Sequence, residues 1–372
     1  RFDYKLPISL RMDKTTNLQN GIEILSTSDV SVLCLNYQNY GNGMDGYLAL
    51  PTRSLGLVYV VASYEPYSSI YKANIIVISA HHNNTIIVYP KKNAIIYYRG
   101  LRYEDTASLV HKKIVLRKLE ALYILGSSDL SGTTIIASKP VSVISGVSRS
   151  RLATSRSNFL EAFQLPTSLW GYQYILTNMA ITTETRGDIF RIFAYETNTI
   201  VKTAYWIKTL SSGKYIDLIL DKDLASFVNC NKPCQVMQYI RGVAISKNYA
   251  EPSMIVLPSV NQFLSYYRVV LPYVSKYYDS TTIVIKNDQT QGLYMNGIKL
   301  NGLEWKQING TEYSWTFVRF LGSSTVTIYH ISPAVTFGLF VFDLGSDTSY
   351  AYSGGYALGN YSHGKLFVWL LF

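Results

Sequence analysis

The sequence predicts an all-β protein made of three tandem β-sandwich-like pseudo-repeats that pack together. Three observations lead to this prediction. Apolar and polar residues alternate along many short runs, as at Ile22/Ile24 and Ile283/Ile285, which is the period of a strand. The 372 residues include 32 tyrosines, and tyrosine favours strands, as do isoleucine, valine and threonine. Three stretches of the chain also resemble one another at a spacing of roughly 100 residues, which indicates one unit built three times.

The repeated stretches consist of three blocks in a constant order. The first block occupies residues 21–32, 132–143 and 227–236. The second block is a Leu-Pro pair followed by two residues at fixed offsets: Leu50-Pro51 with Gly56 and Tyr59, Leu165-Pro166 with Gly171 and Tyr174, and Leu257-Pro258 with Phe263 and Tyr266. The third block lies at 75–88 and 188–201, with a weak echo at 282–293.

These blocks divide the chain into repeats. We expect the first at residues 1–131, the second at 132–224, the third with additional C-terminal strands at 225–359, and a tail at 360–372. No low-complexity linker separates them, so the repeats are expected to pack against each other rather than move on tethers. With 48% hydrophobic residues, the chain can form a large core.

The elements within a repeat follow from local signals. Continuous apolar runs such as 57–61 and 75–78 predict strands that are buried on both faces. Asn83-Asn84 and Asn296-Gly297 mark turns between strands. Residues 114–122 have some helical periodicity, but they stand where the second repeat carries a strand, so we predict a strand there.

The Leu-Pro pairs predict corners. Pro51, Pro166 and Pro258 each end an apolar run, and a glycine follows in two of the three cases. We expect a bend at each, where a strand crosses to the opposite sheet. Short consecutive strands with such corners favour sandwiches. The alternative is a β-propeller, because about eight strands per repeat would also form two four-stranded blades.

The net charge of the chain limits the kinds of partner that the sequence predicts. The formal net charge is +10, which is compatible with an anionic partner or with a merely solvated basic surface. No zinc-finger or RNP-type motif is present, so we expect no nucleic-acid partner. No apolar stretch reaches the roughly 18 residues needed to cross a bilayer, so we expect no membrane span.

The cysteines and glycosylation sequons bear on the compartment. Cys230 and Cys234 flank a predicted turn, which can bring Cα atoms within the roughly 4.4–6.8 Å of a disulfide; two reduced thiols are the alternative. Cys34 is left over and is expected to be buried. Sequons weakly favour secretion. They are at Asn83, Asn309 and Asn360. The lack of an initiator Met and a signal peptide indicates a piece of a larger multidomain chain.

The blocks together resemble the IgGFc-binding protein N-terminal domain family. The resemblance depends mainly on residues 132–143, on Leu165-Pro166 with Gly171 and Tyr174, and on residues 188–201. It covers residues 6–359. The sequence departs from the family pattern at 321–325, where the family tends to have a Gly-x-His turn. It implies an extracellular, non-enzymatic binding or structural module in mucus, matrix or cell-surface adhesion. The namesake binds immunoglobulin Fc, but the motifs define no Fc-contact residues. We therefore expect an extracellular protein or glycan partner of unknown identity.

The sequence offers little for catalysis. His81-His82 have no third metal ligand at a suitable spacing, and no Gly-x-Ser-x-Gly motif occurs. We expect no catalytic residue, no metal site and no cofactor. The alternative is a glycan-active β-protein enzyme, whose mark would be paired carboxylates about 5–9.5 Å apart in a cleft.

The best candidates for ligand binding are Arg149, Arg151 and Arg156, which alternate with serines in the loop 148–157. Guanidinium groups bind sulfate and carboxylate through two parallel hydrogen bonds, so the loop predicts a lectin-like contact with anionic glycans. A merely mobile loop is the alternative, as is a protein contact through tyrosine-rich strand faces. Arg186-Gly187-Asp188 spells an integrin-recognition tripeptide, but the predicted strand that follows would restrict its presentation.

Overall fold

The computed structural model describes residues 3–6, 17–38, 43–104, 112–152, 156–179, 186–241, 244–245, 248–249, 251–272, 280–320, 325–344, 349–359 and 366–370. The described chain is almost entirely β-structure, and its sheets form three sandwich-like repeats. The predicted fold class is confirmed, and nothing in the described sheets indicates a propeller.

The strands fall into consecutive groups along the chain. The strands before the sandwiches are β1 (Asn17–Leu18), β2 (Ile22–Ser26), β3 (Leu33–Gln38) and β4 (Gly43–Leu48). The first sandwich contains β5 (Gly56–Val60), β6 (Ala73–Ser79), β7 (Asn84–Tyr89), β8 (Ile96–Tyr98), β9 (Leu101–Tyr103), β10 (Ile114–Leu116), β11 (Ala121–Gly126), β12 (Thr134–Ser150) and β13 (Asn158–Phe163).

The second sandwich contains β14 (Gly171–Thr177), β15 (Arg186–Ala194), β16 (Thr199–Lys202), β17 (Ile207–Leu210), β18 (Tyr215–Asp221), β19 (Ala225–Ile240) and β22 (Ser253–Val256), with the small hairpin β20 (Ala244–Ile245) and β21 (Asn248–Tyr249) before β22. The third contains β23 (Tyr266–Val270), β24 (Ser280–Lys286), β25 (Leu293–Met295), β26 (Ile298–Lys299), β27 (Lys306–Gln307), β28 (Tyr313–Arg319), β29 (Thr325–His330), β30 (Gly338–Leu344) and β31 (Ser349–Ser353). β32 (Leu366–Leu370) pairs with β2. Short 3₁₀ turns lie at Thr52–Ser54, Thr167–Leu169, Val260–Gln262 and Asn287–Gln289.

One long strand is shared between the two sheets of each sandwich. The first half of β12 pairs with β5 and β7, and its second half pairs with β6 and β13. β19 pairs in the same way with β14 and β16, then with β15 and β22. In the third sandwich the strand is divided into β29, which pairs with β23 and β25, and β30, which pairs with β24 and β31. The stretch 114–122, predicted as one strand, is strand at β10 and at the start of β11, with a turn at 117–120 between them.

The bend in the long strand occurs where the sheets exchange. Pro140 lies at the bend of β12, and the Cys230–Cys234 disulfide spans the bend of β19. Ala137 and Val141 occupy the corresponding places in β12, so the fold forms this bend without a disulfide there. Where one repeat ends and the next begins stays a prediction.

A buried tyrosine fixes the corner after each Leu-Pro pair. The Tyr59 hydroxyl donates to the carbonyl of Val141 (2.6 Å) and accepts the N–H of Gly56 (2.9 Å). Tyr174 makes the same contacts with Cys234 (2.5 Å) and Gly171 (3.1 Å). The hydroxyl therefore joins the start of each sandwich's first strand to the bend of its long strand.

In the third sandwich this tyrosine is Tyr267, which donates to Phe337 (2.5 Å) and accepts from Leu264 (2.9 Å). The assignment of Tyr266 to this place from the sequence is wrong by one residue. The 3₁₀ turn here follows Ser259, whereas the first two turns directly follow Pro51 and Pro166. Because of this extra residue, each later position of the third corner lies one residue further from the proline than in the first two corners.

The sandwiches pack against each other, as the sequence predicted. Each has an inner core between its two sheets. A further apolar cluster joins Ile76 and Ile144 of the first sandwich to Phe193 and Met237 of the second. The core of the second sandwich continues into Trp315 and other residues of the third.

A buried arginine crosses the interface between the first and second sandwiches. Arg191 of β15 pairs with Asp217 through Nε (2.8 Å) and Nη2 (2.9 Å), and with Asp129 of the first sandwich through Nη1 (2.7 Å). Its guanidinium also lies against the ring of Tyr215, at 4.2 Å. Burial alone would raise the pKa of Asp129, but Arg191 and hydrogen bonds from Ser131 lower it overall.

Candidate binding surface

Arg149 and Arg151, two of the three predicted ligand-binding arginines, lie together at the end of β12. Arg149 is half-buried: its Nε donates to Ser157 Oγ at 2.9 Å, and its guanidinium lies 5.9 Å from the centre of the Tyr71 ring. Arg151 is exposed and lies 4.2 Å from the centre of the Tyr67 ring. Each contact is within the range of a cation–π interaction, which holds the cation without using its N–H donors.

The tyrosines belong to the segment that leads into β6. The N–H of Tyr67 donates to the carbonyl of Arg149 at 2.8 Å. The N–H of Lys72 donates to Ser148 Oγ at 2.9 Å, and the N–H of Ser148 donates to the carbonyl of Lys72 at 2.8 Å. These bonds extend the β6–β12 ladder and hold residues 67–72 beside the arginines.

A third cation, Lys72, belongs to the same segment as the two tyrosines. Lys72 Nζ lies 5.8 Å from the centre of the Tyr97 ring on β8. We call the six residues that share these contacts the Arg–Tyr surface: Tyr67, Tyr71, Lys72, Tyr97, Arg149 and Arg151. None of the six residues carries a carboxylate, and three of them are cations.

Arg156 follows residues 153–155, which lie outside the described part of the chain. It is half-buried and precedes Ser157, the residue to which Arg149 donates. The structure thus brings Arg149 and Arg151 together on a tyrosine-lined surface and places Arg156 on the returning side of the loop.

The sequence did not identify Tyr67, Tyr71, Lys72 and Tyr97 as part of this surface. The tyrosine-rich segment before β6 was visible, but its place depends on the register that pairs Ala73 with Val147. Nothing local to the arginine loop specifies that register.

Two buried carboxylates lie where β4, β13 and β22 meet. The oxygens of Asp45 accept the N–H groups of Gly46 (2.9 Å), Glu161 (3.1 Å) and Met254 (3.2 Å), which joins the three strands. Glu161 accepts a hydrogen bond from Asn36 Nδ2. Burial raises the pKa of Glu161 to about 7 and that of Asp45 well above its usual value. Both acids are enclosed in strands rather than exposed in a cleft, and their partners indicate a structural role.

The aspartate of the integrin-type tripeptide is not presented to solvent. Asp188 is buried in β15. Its carboxylate accepts the N–H of Met179 (2.8 Å), Nε2 of Gln238 (2.8 Å) and the N–H of Arg241 (3.1 Å). These bonds tie neighbouring segments of the second sandwich together, and the expected restriction is confirmed.

The remaining predicted residues are placed as follows. Cys230 and Cys234 form the predicted disulfide, with a Cα–Cα distance of 6.4 Å, and Cys34 is buried. Asn83 and Asn309 are exposed, while Asn360 lies outside the described residues; glycosylation of all three stays a prediction. In the described ranges, no group of three or more His, Cys, Asp or Glu residues could hold a metal ion. None of the helices described there is long and apolar enough to cross a membrane.

Comparison with known proteins places the chain in a family. The IgGFc binding protein family matches residues 45–342, and the chain belongs to it. A human protein named IgGFc-binding protein is 25% identical over 244 residues, which are 64% of this chain and 4% of that protein. The chain is therefore similar to a small part of a much longer relative, and the predicted resemblance is confirmed.

Proposed function

We propose that the chain is a non-enzymatic extracellular binding module whose Arg–Tyr surface binds sulfated or sialylated glycans in mucus, matrix or a cell-surface assembly. The observation that supports this most is that three cations from two adjoining segments each lie over a tyrosine ring. Membership of a family of binding proteins supports the general class. The human relative's name assigns Fc binding to that protein, and Fc is no part of this proposal.

The tyrosine rings restrict the positions of the cationic side chains that contact them. A long arginine side chain normally loses rotamer freedom when it binds, and this costs free energy. Arg149 and Arg151 are already held by ring contacts, so less freedom remains to be lost. Their guanidinium forks match the geometry of sulfate and carboxylate. We include Arg156 as a third contact from the returning side of the loop.

The test is retention on a heparin column as salt is raised. The variant Arg149→Ser/Arg151→Ser/Arg156→Ser should elute at clearly lower salt than the unmodified protein, with a nearly unchanged melting temperature. The attraction is screened over about 8 Å at 0.15 M salt, so the difference should be largest at low ionic strength.

A matched control removes the same charge elsewhere. Lys202, Lys208 and Arg319 are exposed and lie in the second and third sandwiches. If replacing these three with serine lowered retention as much as the arginine variant does, the binding would come from net charge alone and the proposal would fail.

The extracellular location is part of the proposal and has its own test. Secreted protein should show one free thiol, Cys34, when it is unfolded without reductant, and glycans on Asn83 or Asn309. Three free thiols would contradict an oxidising compartment. We also propose that the chain works within a larger multidomain protein. The boundaries at residues 131/132 and 224/225 stay predictions about the sequence repeat; the sandwiches are grouped differently, with β12 in the first and β19 in the second.

A further inference from the structure

The third sandwich presents a row of tyrosines on its outer face. Cross-strand pairing aligns Tyr266 of β23, Tyr329 of β29, Tyr294 of β25 and Lys299 of β26. The ring centres are 6.2 Å apart for Tyr266 and Tyr329 and 5.4 Å apart for Tyr294 and Tyr329, with interplanar angles of 27° and 12°. We call Tyr266, Tyr294 and Tyr329 the tyrosine ladder.

The corresponding rows of the other sandwiches show that the fold does not require these tyrosines. In the first sandwich, the pairing of β5, β12 and β7 aligns Val58, Ile136 and Ile87. In the second, the pairing of β14, β19, β16 and β17 aligns Gln173, Asn229, Lys202 and Ile207. The topology is the same and the outward side chains differ, so the fold does not require tyrosine at these positions.

The ladder is accessible and flanked by cations. Tyr266 is 53% exposed, Tyr294 and Tyr329 are half-buried, and Ile298 beside Lys299 is 73% exposed. Arg268 and Lys299 are exposed, and Arg268 pairs with Thr327 in the neighbouring row. The four strands β23, β25, β26 and β29 carry no Asp or Glu. The face is therefore aromatic at its centre and positive at its rim.

We propose that the tyrosine ladder is a second binding surface, and that its partner is a protein segment rich in acidic and aromatic side chains. Tyrosine and arginine are among the residues enriched in protein–protein interfaces, and tyrosine offers a large contact area with few rotatable bonds. A sheet face is flat, whereas sites for small ligands are concave. The positive rim selects an acidic partner over a basic one.

The test uses a defined probe. Fluorescence anisotropy would measure binding of a short labelled peptide that alternates glutamate with tyrosine, and of its counterpart that alternates lysine with tyrosine. The acidic peptide should bind saturably, and Tyr266→Ser/Arg268→Ser should weaken binding about tenfold or more, as expected for the loss of one aromatic contact and one charged contact at its edge. The arginine-loop variant should bind as the unmodified protein does, which separates this surface from the glycan proposal.

Two further variants make the result decisive. Tyr172→Ser/Lys208→Ser removes an exposed tyrosine and an exposed cation from the second sandwich and should leave binding unchanged. Arg268→Glu/Lys299→Glu should lose the acidic peptide and gain the basic one. The proposal would be overturned if the acidic peptide did not bind saturably, or if Tyr172→Ser/Lys208→Ser weakened binding as much as the ladder variant does. It would also be overturned if the ladder variant lost heparin retention, because this face would then be a glycan surface.

Discussion

The tyrosine corners make the sharpest prediction, because neighbouring residues should behave in opposite ways. Replacing Tyr267 with phenylalanine removes a hydroxyl that bonds to the carbonyl of Phe337 and the N–H of Leu264. Replacing Tyr266 removes a hydroxyl from a side chain that is 53% exposed. The sequence alignment gives the corner to Tyr266 and the structure gives it to Tyr267, so this pair of variants decides between them.

The expected magnitude follows from the two lost hydrogen bonds. Each bond contributes about 1 kcal/mol net, and the groups left unpaired at a buried corner add to the cost, so Tyr267→Phe should lower the free energy of unfolding by about 2 kcal/mol. An unfolding entropy of about 2.1 cal/mol/K per residue converts this to a fall of roughly 2–3 °C in the melting temperature. Tyr59→Phe and Tyr174→Phe should behave alike, because their hydroxyls make the same pair of bonds.

Urea unfolding followed by tryptophan fluorescence, with calorimetry for the melting temperature, would measure these changes. Tyr266→Phe should stay within about 0.5 kcal/mol of the unmodified protein, as surface substitutions usually do. The reasoning would be refuted if Tyr266→Phe cost as much as Tyr267→Phe, or if one of the three corner variants had no effect while the other two did.

Three further predictions concern buried groups. Arg191→Met should destabilise the protein by about 3–5 kcal/mol, because Asp129 would keep a buried charge without its partner; a loss under 1 kcal/mol in urea unfolding would count against this. Glu161 has a folded pKa of about 7, above its ordinary value of 4.5, so the native state holds a proton that the unfolded state releases. Stability should therefore fall as pH rises from 4.5 to 7, by about 3 kcal/mol from this group, and Glu161→Gln should remove that part of the slope. The variant Cys230→Ala/Cys234→Val copies the bend of β12 and should cost at most about 2 kcal/mol, because the disulfide closes only a short loop; loss of folding would show that this bend needs the bridge.

Much of the architecture was predictable because its signals lie between residues that are close in sequence, and because those signals recur in three parts of the chain. The strand period, the bends after the Leu-Pro pairs and the spacing of Cys230 and Cys234 each depend on residues close in sequence. The crossing to the opposite sheet that was expected at the Leu-Pro pairs lies instead at the bends of β12 and β19, and Pro166 and Pro258 lie between one sandwich and the next. The place of Tyr267 was missed because one additional residue, Ser259, changes the phase of the corner, and an ungapped alignment cannot show that. The partners of Arg149 and Arg151 were missed because Tyr67 and Tyr71 reach them only through the β6–β12 register.

The repeated topology separates what holds the fold from what faces solvent. The corner hydroxyl recurs in all three sandwiches and always joins a first strand to the bend of the long strand. The residue before each corner tyrosine begins the outward-facing row of its sandwich and makes no such bond. It is Val58 in the first sandwich, Gln173 in the second and Tyr266 in the third. A scaffold of this kind can change the chemistry of one face without altering the other two. This is the physical reason to assign distinct partners to the Arg–Tyr surface and the tyrosine ladder: they lie on different copies of one unit, and neither is needed for the packing of the other.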